Sequence, residues 1–463
     1  MSQVYISAAH KSSGKTTVSL GLCAALAHKG YQVQAFKKGP DYIDPLWLSQ
    51  ASGRSCYNLD FYTTPVGQIQ QLYSNKIEQA EIAIIEGNKG LYDGMDLHGS
   101  DSNAALANLL DVPVVLVINT QGITRGVAPL LNGYMAFDGA PRISGVILNN
   151  IAGQRHESKL VSVVEEYTDI PVVGCVRRNK DLVIDERHLG LIPSNEKSES
   201  EQIINRIASI IEQQVDLEQF VSIGTSIEAD VIKPVASAQQ SVRQTKKDES
   251  IDPVKVGVFQ DSSFGFYYAD DLEILQSCGA QLVAIDALHD QVLPEVDALF
   301  IGGGFPESHM HALSANTMLM SKVRDFIENH GVVYAECGGL MYLSESLTWK
   351  DKECRMCGVL PGKTVMHEKP QGRGYIRLVE TDKMPWPGAQ SAELAAHEFH
   401  YSSLEGMPEN CDYAFRVVRG HGIDGYNDGY VYKNLLANYA HMRNVGNNHW
   451  AERFIAHIVK NRK

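Results

Sequence analysis

The chain has 463 residues, a net charge of −14 at neutral pH, and a content of 44% hydrophobic and 21% charged residues. This length predicts more than one domain of a soluble globular protein, and the acidic charge argues against a general nucleic-acid binder. The absence of a leader pattern and of any apolar run of roughly 18 residues predicts a cytoplasmic protein without a membrane anchor. The eight scattered cysteines do not follow a disulfide-framework pattern.

The first motif that carries chemistry is residues 9–17, Ala-His-Lys-Ser-Ser-Gly-Lys-Thr-Thr, between a short apolar strand and an Ala-rich helix. This order predicts a phosphate-binding loop, although Ala9 occupies the place of the first glycine in G-x-x-x-x-G-K-[ST]. Lys15 would reach the β- and γ-phosphates of a nucleotide, and the Thr16 hydroxyl would ligate Mg²⁺. The predicted nucleotide contacts in this loop are Ser12, Ser13, Gly14, Lys15, Thr16 and Thr17.

Acidic and basic side chains follow the next strands of this half of the chain. The second predicted strand delivers Lys37 and then Asp41 and Asp44, while a later apolar strand ends at Glu86. Carboxylates beside a phosphate loop predict Mg²⁺ ligation or the ordering of an acyl phosphate. Thr16, Asp41 and Glu86 are therefore the predicted metal ligands. The alternative for the Asp41–Asp44 segment is a polar turn with solvated charges.

Two later strands of the same half also end in polar side chains. Asn149 closes an apolar strand, and its amide is predicted to contact the nucleotide base. Arg177 and Arg178 follow the next strand, ahead of a charged segment over residues 185–190. A guanidinium group matches phosphate and carboxylate geometry, so these arginines are candidates for substrate binding. A solvated surface cluster is the open alternative.

The composition changes near residue 236, where a polar stretch begins. It predicts a linker over residues 236–252 between a first domain, residues 1–235, and a second domain, residues 253–463. Alternating apolar strands and helices on both sides predict an α/β fold class. Each domain is expected to contain a mostly parallel sheet flanked by helices.

The second domain carries two motifs that point to nucleophilic catalysis. A glycine loop with the sequence Gly-Gly-Gly-Phe-Pro-Glu begins at residue 302, and Cys337 lies between an apolar strand and Gly338 at the start of an apolar helix. A cysteine at such a turn is typical of a nucleophile elbow, where the helix N-terminus favours the thiolate. The N–H groups of Gly303, Gly304 and Gly338 are the predicted oxyanion hole. A buried structural cysteine is the alternative.

A cysteine nucleophile needs a base, and chain position favours His441, which follows a late apolar strand. His397 and His400 form the alternative pair, and together with Glu398 they are also candidates for a metal site, though no further ligand cluster is evident. The Cys354–Cys357 pair has no second pair, so zinc is not expected there.

Together these motifs resemble the cobyrinate a,c-diamide synthases over nearly the full length of the chain. The resemblance implies a P-loop domain similar to dethiobiotin synthetase, followed by a class I (triad-type) glutamine amidotransferase domain. Besides the phosphate loop and the Cys337 elbow, it rests on residues 37–45, 86–94, 186–190, 302–307, 358–362 and 397–402.

The resemblance also implies a two-site reaction. Cys337, activated by His441, would release ammonia from glutamine, while Lys15, Thr16 and Glu86 bind ATP and Mg²⁺. Lys37, Asp41 and Asp44 match the synthetase centre, where the a and c acetates of a tetrapyrrole would be phosphorylated and amidated. The expected partners are the tetrapyrrole, glutamine and ATP, without nucleic acid or membrane, and the sequence leaves a homodimer open.

Two departures from the family pattern bear on the mechanism and the substrate. Many triad amidotransferases have a Glu two positions after the histidine, where this chain has Arg443, so the third member of a triad stays open. The closing segment 438–443 also diverges, which leaves a sirohaem or sirohydrochlorin macrocycle as an alternative to cobyrinate. A non-catalytic P-loop ATPase scaffold is the alternative of another class.

Overall fold

The structure is a computed structural model, and it describes residues 1–187, 190–196, 199–225 and 253–462. The chain separates into two compact units, residues 1–239 and residues 240–463. The predicted linker over residues 236–252 lies outside the described residues, so its bounds stay a prediction. Within the described residues, none of the helices is long and apolar enough to cross a membrane.

In the described part of the first unit, seven parallel strands form one sheet in the order β3-β2-β4-β1-β5-β6-β7. The strands of this sheet are β1 (Ser2–Ala8), β2 (Val33–Lys38), β3 (Tyr57–Leu59), β4 (Ile82–Glu86), β5 (Val114–Asn119), β6 (Ile143–Ile151) and β7 (Val172–Arg177). A short antiparallel pair follows, consisting of β8 (Glu186–Arg187) and β9 (Gly190–Leu191). The central strands are apolar and buried, as expected for a parallel sheet covered on both faces.

Helices connect and cover these strands. They are α1 (Lys15–His28), α2 (Ile43–Ser52), α3 (Val66–Ile77), α4 (Asn103–Leu109), α5 (Val127–Ala136), α6 (Gln154–Tyr167), α7 (Ser200–Gln214) and α8 (Leu217–Thr225), with 3₁₀ turns at Lys180–Leu182 and Ser194–Glu196. Helix α7 packs closely on α1, because a methyl group added at Gly21 would lie only 2.3 Å from Cγ1 of Ile211. This packing holds α1, and therefore the loop that precedes it, against the sheet.

The register of the first sheet brings the predicted phosphate-site residues to one edge. Strand β4 lies between β1 and β2, with Glu86 beside Ile6 on one side and beside Lys37 on the other. The loop after β1 and the ends of β2 and β4 therefore meet at the carboxyl edge of the sheet, where ligands bind in open α/β folds.

Among the described residues, the second unit contains more strands than the first. Its strands are β10 (Val254–Phe259), β11 (Phe264–Phe266), β12 (Ala280–Ile285), β13 (Ala298–Ile301), β14 (Gly303–Gly304), β15 (Val332–Glu336), β16 (Ser346–Trp349), β17 (Lys352–Arg355), β18 (Lys363–Met366), β19 (Gly372–Glu380), β20 (Leu394–His400), β21 (Ser402–Glu405), β22 (Asp412–Arg419), β23 (Asn427–Tyr432) and β24 (Leu435–Asn438). Its helices are α9 (Ala269–Ser277), α10 (Pro306–Ala315), α11 (Thr317–Glu328), α12 (Gly338–Leu343) and α13 (Trp450–Asn461).

Among these described residues, nine strands form the main sheet in the order β12-β10-β13-β15-β24-β23-β22-β19-β20. The first five strands in this order are parallel to one another, namely β12, β10, β13, β15 and β24. The other four strands extend the sheet in antiparallel fashion, namely β23, β22, β19 and β20. The α/β fold class in two units is confirmed, and the antiparallel extension is a feature that the sequence analysis did not predict. Strand β15 lies beside β24, so the residues that follow these two strands are neighbours.

Candidate active sites

The loop between β1 and α1 has the backbone shape expected of a phosphate cradle. Ser12 and Gly14 have φ angles of 61° and 87°, and Gly14 caps the N-terminus of α1. The Ser13 hydroxyl donates to the carbonyl of His10 at 2.7 Å, and Nδ2 of Asn149 donates to the carbonyl of Ser13 at 2.9 Å. Asn149 therefore holds the loop itself, and its predicted contact with a base stays a prediction.

Ala9 stands where the first glycine of the motif was expected, and the structure shows what surrounds it. Its carbonyl accepts the hydroxyl of Tyr134, and a methyl group added at Gly90 would lie 2.7 Å from the same oxygen. The backbone at residue 90 therefore approaches the Ala9 carbonyl so closely that a glycine is needed at position 90 rather than at position 9.

Lys15 begins α1 and lies mostly buried beside the loop that follows β4. Its Nζ donates to the carbonyl of Lys89 at 2.7 Å. Burial, together with the positive charge of Lys37, lowers the pKa of Lys15 to about 8. At the other side of the loop, the Thr17 hydroxyl lies 3.5 Å from the carbonyl of Leu182.

Four side chains meet at the carboxyl edge of the sheet. The Thr16 hydroxyl donates to Oε1 of Glu86 at 2.6 Å and lies 3.5 Å from Oδ2 of Asp44. Nζ of Lys37 lies between these carboxylates, 2.5 Å from Asp44 and 2.8 Å from Glu86. Burial alone would lower the pKa of Lys37, but the two carboxylates hold that pKa well above its ordinary value, so the ammonium group stays charged.

Asp41 lies at the start of α2. Its Oδ1 accepts the backbone N–H groups of Ile43 and Asp44 at 2.9 and 3.2 Å, as a helix cap does. Burial and the neighbouring Asp44 charge raise the pKa of Asp41 to about 7. The structure thus brings Asp44, rather than Asp41, to within 3.5 Å of Thr16.

The donor atoms of this cluster suit a hard divalent cation. The Thr16 hydroxyl and the Glu86 and Asp44 carboxylates are oxygen ligands of the kind that Mg²⁺ prefers. Oε2 of Glu86 is fully buried and has no hydrogen-bond partner among the described residues. In the part of the chain that the structure describes, no three His, Cys, Asp or Glu side chains could form a metal site by themselves. The Thr16 hydroxyl and the Glu86 and Asp44 carboxylates are therefore the protein groups that would hold the ion.

The predicted arginine cluster is only partly described. Arg177 pairs with Glu157 at 3.0 Å and is half exposed. The charged segment over residues 185–190 includes positions 188 and 189, which lie outside the described residues. The anion-binding role of this region stays a prediction.

Cys337 lies at a sharp turn between β15 and α12. Its φ angle of 46° is positive, which costs backbone energy for a residue with a side chain and is a feature of nucleophile elbows. The backbone N–H of Cys337 donates to the carbonyl of Asn438 at 2.7 Å, which ties the turn to the end of β24.

The glycine loop lies against this turn. A methyl group added at Gly338 would lie 3.0 Å from the backbone nitrogen of Gly304, and one added at Gly303 would lie 2.5 Å from Cε1 of His441. The N–H of Gly302 donates to the hydroxyl of Tyr267 at 2.9 Å, a support for the loop that the sequence did not reveal. The three glycines predicted to form the oxyanion hole are therefore close to the Cys337–His441 pair.

His441 follows β24 and is nearly fully buried. Its imidazole is hydrogen-bonded to the Cys337 thiol, and Nδ1 lies 3.3 Å from Oε2 of Glu336. Burial lowers the pKa of His441, but the contacts with Cys337 and Glu336 outweigh burial and raise the pKa to about 10. The geometry is that of a nucleophile and base. Sequence reasoning missed Glu336, although a glutamate at the end of an otherwise apolar strand was a visible signal.

The alternative histidines occupy other positions. His397 pairs through its backbone with His441. Burial, and to a smaller extent the positive charge of His441, lowers the pKa of His397 to about 3. His400 is stacked on Tyr439 with ring centroids 3.8 Å apart, and its Nδ1 lies 2.7 Å from the carbonyl of Ser402. The structure thus places His441 against Cys337 and gives His400 a packing role.

Comparison with known families and proteins agrees with this two-site geometry. Residues 6–192 match the CobQ/CobB/MinD/ParA nucleotide binding domain, and residues 255–448 match the CobB/CobQ-like glutamine amidotransferase domain. The cobyrinate a,c-diamide synthase of Magnetococcus marinus is 43% identical over 462 residues, which cover 99% of this chain and 97% of that protein.

Two archaeal relatives are similar over a comparable length. The cobyrinate a,c-diamide synthase of Archaeoglobus fulgidus is 39% identical and covers 99% of this chain and 98% of that protein. The cobyrinate a,c-diamide synthase of Methanosarcina acetivorans is 38% identical, and the aligned region covers 96% of this chain and 92% of that protein. Because the similarity extends through both units, the chain belongs to the cobyrinate a,c-diamide synthase family of glutamine-dependent ligases.

Proposed function

We propose that the protein uses ATP and glutamine to amidate the a and c acetate side chains of cobyrinate. The observation that carries the proposal is that one chain holds both a phosphate loop with adjoining carboxylates and a Cys–His pair beside a glycine loop. Its relatives in Magnetococcus marinus and Archaeoglobus fulgidus are named cobyrinate a,c-diamide synthases, which supports cobyrinate as the substrate. Membership in a family of ligases argues against the scaffold alternative.

In the second unit, the Cys337 thiolate would attack the carboxamide carbon of glutamine. The N–H groups of Gly338 and Gly304 would stabilise the negatively charged oxygen of the tetrahedral intermediate. His441 would give its proton to the leaving nitrogen, which departs as ammonia and leaves a glutamyl thioester. Water would hydrolyse the thioester to glutamate and restore the thiol.

In the first unit, an acetate oxygen of the tetrapyrrole would attack the γ-phosphorus of ATP, producing an acyl phosphate and ADP. Ammonia would then displace inorganic phosphate and form the amide. Lys15 and Lys37 supply positive charge beside the phosphate loop. Thr16, Glu86 and Asp44 would hold Mg²⁺, which when bound neutralises phosphate charge. The reactive thiol suits the reducing cytoplasm, where we place the protein.

The substrate can be identified by mass spectrometry. The purified chain is incubated with ATP, Mg²⁺ and glutamine, together with cobyrinate, sirohaem or sirohydrochlorin. We expect cobyrinate to gain two amide groups. Amidation of sirohaem or sirohydrochlorin alone would contradict the cobyrinate assignment but would agree with the proposed mechanism. The divergent segment 438–443 would then be the region to test for substrate choice.

The lowered pKa of Lys15 predicts how ATP affinity depends on pH. Since its folded pKa is about 8, the charged form dominates at pH 7 and the neutral form at pH 9. Phosphate binding favours the charged form, so ATP affinity should fall by about tenfold between these pH values. Isothermal titration calorimetry can measure this decrease.

The control for this prediction is Lys15→Arg, because arginine keeps its charge throughout the range. The variant should show a much flatter pH dependence of ATP affinity. An equal decrease in both proteins would show that another group causes it.

A further inference from the structure

Glu336 is the last residue of β15, and the residue is buried, with only 4% of its surface exposed. A buried carboxylate needs partners, and this one has three within the unit. Oε1 accepts the hydroxyl of Tyr334 at 2.5 Å and the backbone N–H of Met442 at 2.9 Å. Oε2 faces Nδ1 of His441 at 3.3 Å, so the two side chains form an ion pair when the imidazole is protonated.

The backbone at Cys337 explains how two consecutive residues reach one imidazole. Successive side chains of a regular strand point to opposite faces of the sheet. At Cys337 the φ angle of 46° breaks the strand, and the thiol and the Glu336 carboxylate both contact His441. The elbow therefore supplies the nucleophile and a carboxylate from adjacent positions.

The position where many triad amidotransferases have their acid is occupied differently. Arg443 is completely buried, with Nη2 at 2.5 Å from Oδ2 of Asp270 and its guanidinium carbon 4.5 Å from the Tyr268 ring centre. The positive charge of Arg443 is therefore paired with Asp270 and stacked on the Tyr268 ring. The acid that faces His441 comes from the strand before the nucleophile.

We propose that Glu336 is the positioning residue that completes the Cys337–His441 pair. Its carboxylate holds the Nδ1–H of His441, so that Nε2 takes the thiol proton and later delivers it to the departing ammonia. Tyr334 and Met442 fix the carboxylate in turn. This inference rests on the proposed role of Cys337 in glutamine hydrolysis. It identifies Glu336 as the third member of the triad, which the sequence left open.

The test is Glu336→Gln in the full chain, which keeps the shape of the side chain and removes its charge. We expect kcat for glutamine hydrolysis to fall about 10²-fold, with little change in KM for glutamine. Amidation of the tetrapyrrole with added ammonium chloride should be unchanged, because it does not use the thiol. Glu345→Gln, an exposed glutamate of the same unit, is the matched control and should behave like the unmodified chain.

A second variant, Tyr334→Phe, removes one anchor of the carboxylate and keeps the aromatic ring. It should lower kcat for glutamine hydrolysis about threefold, as expected for the loss of one hydrogen bond. It also tests the proposal if Glu336→Gln does not fold, since unchanged glutamine hydrolysis in Tyr334→Phe would then overturn the role of Glu336.

The outcomes separate the two proposals. If the unmodified chain does not hydrolyse glutamine, the proposed function itself fails. If the unmodified chain is active and Glu336→Gln is equally active, or loses glutamine- and ammonia-driven amidation to the same extent, Glu336 has no positioning role.

Discussion

A Cys337→Ala variant is expected to lose glutamine-dependent amidation by at least about 10⁴-fold, because the substitution removes the thiol that would form the thioester. Amidation with added ammonia should persist, since the phosphate loop and its carboxylates belong to the other compact unit. The measurement is amide formation with either nitrogen source, followed by mass spectrometry of the product. His441→Ala should show the same selectivity with a smaller loss.

The chain offers a matched control for this experiment. Sγ of Cys354 lies 3.2 Å from Nδ1 of His311, so it is also a cysteine beside a histidine. Cys354 lies within β17, however, and has no helix N-terminus or glycine loop next to it in the sequence. Cys354→Ala should therefore retain glutamine hydrolysis. Equal losses in Cys337→Ala and Cys354→Ala, or a loss of ammonia-driven amidation in Cys337→Ala, would contradict the assignment of the nucleophile.

Replacing Lys37 by methionine is expected to have the largest effect on the first unit. The substitution removes the ammonium group between Asp44 and Glu86, which leaves two carboxylates facing each other in a mostly buried site. Breaking a buried ion pair by removing one partner costs about 3–5 kcal/mol in the free energy of unfolding. Ammonia-driven amidation should also fall by about 10²-fold, because positive charge at the phosphoryl-transfer centre is lost.

Hydrogen exchange measured by mass spectrometry can localise the destabilisation to peptides from β1, β2 and β4. Lys29→Met is the matched control, since Lys29 is an exposed lysine of the same unit that pairs with Glu212 at the surface. It should leave both exchange and amidation unchanged. Normal exchange protection in Lys37→Met would show that Lys37 does not neutralise the two carboxylates.

Local sequence was sufficient for the fold class and for the position of each motif along the chain. Apolar runs of strand length, helix-length segments between them and glycine-containing turns identified two α/β units, and the structure confirms that class. The family assignment, which came from the same motifs, is confirmed by relatives that cover nearly the whole chain. These features follow from residues close together in the chain, where backbone preference and hydrophobic period are visible.

The partners of the acidic side chains could not be inferred in this way. The sequence placed Asp41 with the metal ligands, and that role stays a prediction. In the structure, Oδ1 of Asp41 accepts two backbone N–H groups at the start of α2, and Asp44 lies 3.5 Å from Thr16. Whether a carboxylate caps a helix or faces a neighbouring strand depends on the exact turn between them. Spacing along the chain does not specify that turn.

The second unit shows the same limit more clearly. The sequence by itself determined a cysteine at a strand-to-helix turn and a glycine loop, and among the available histidines it favoured His441. Only the tertiary structure decided that β24 lies beside β15, that His441 therefore meets Cys337, and that Glu336 faces the same imidazole while Arg443 pairs with Asp270. The physical reason is that these contacts join residues up to 173 positions apart, and their geometry is set by strand order, register and one strained backbone turn.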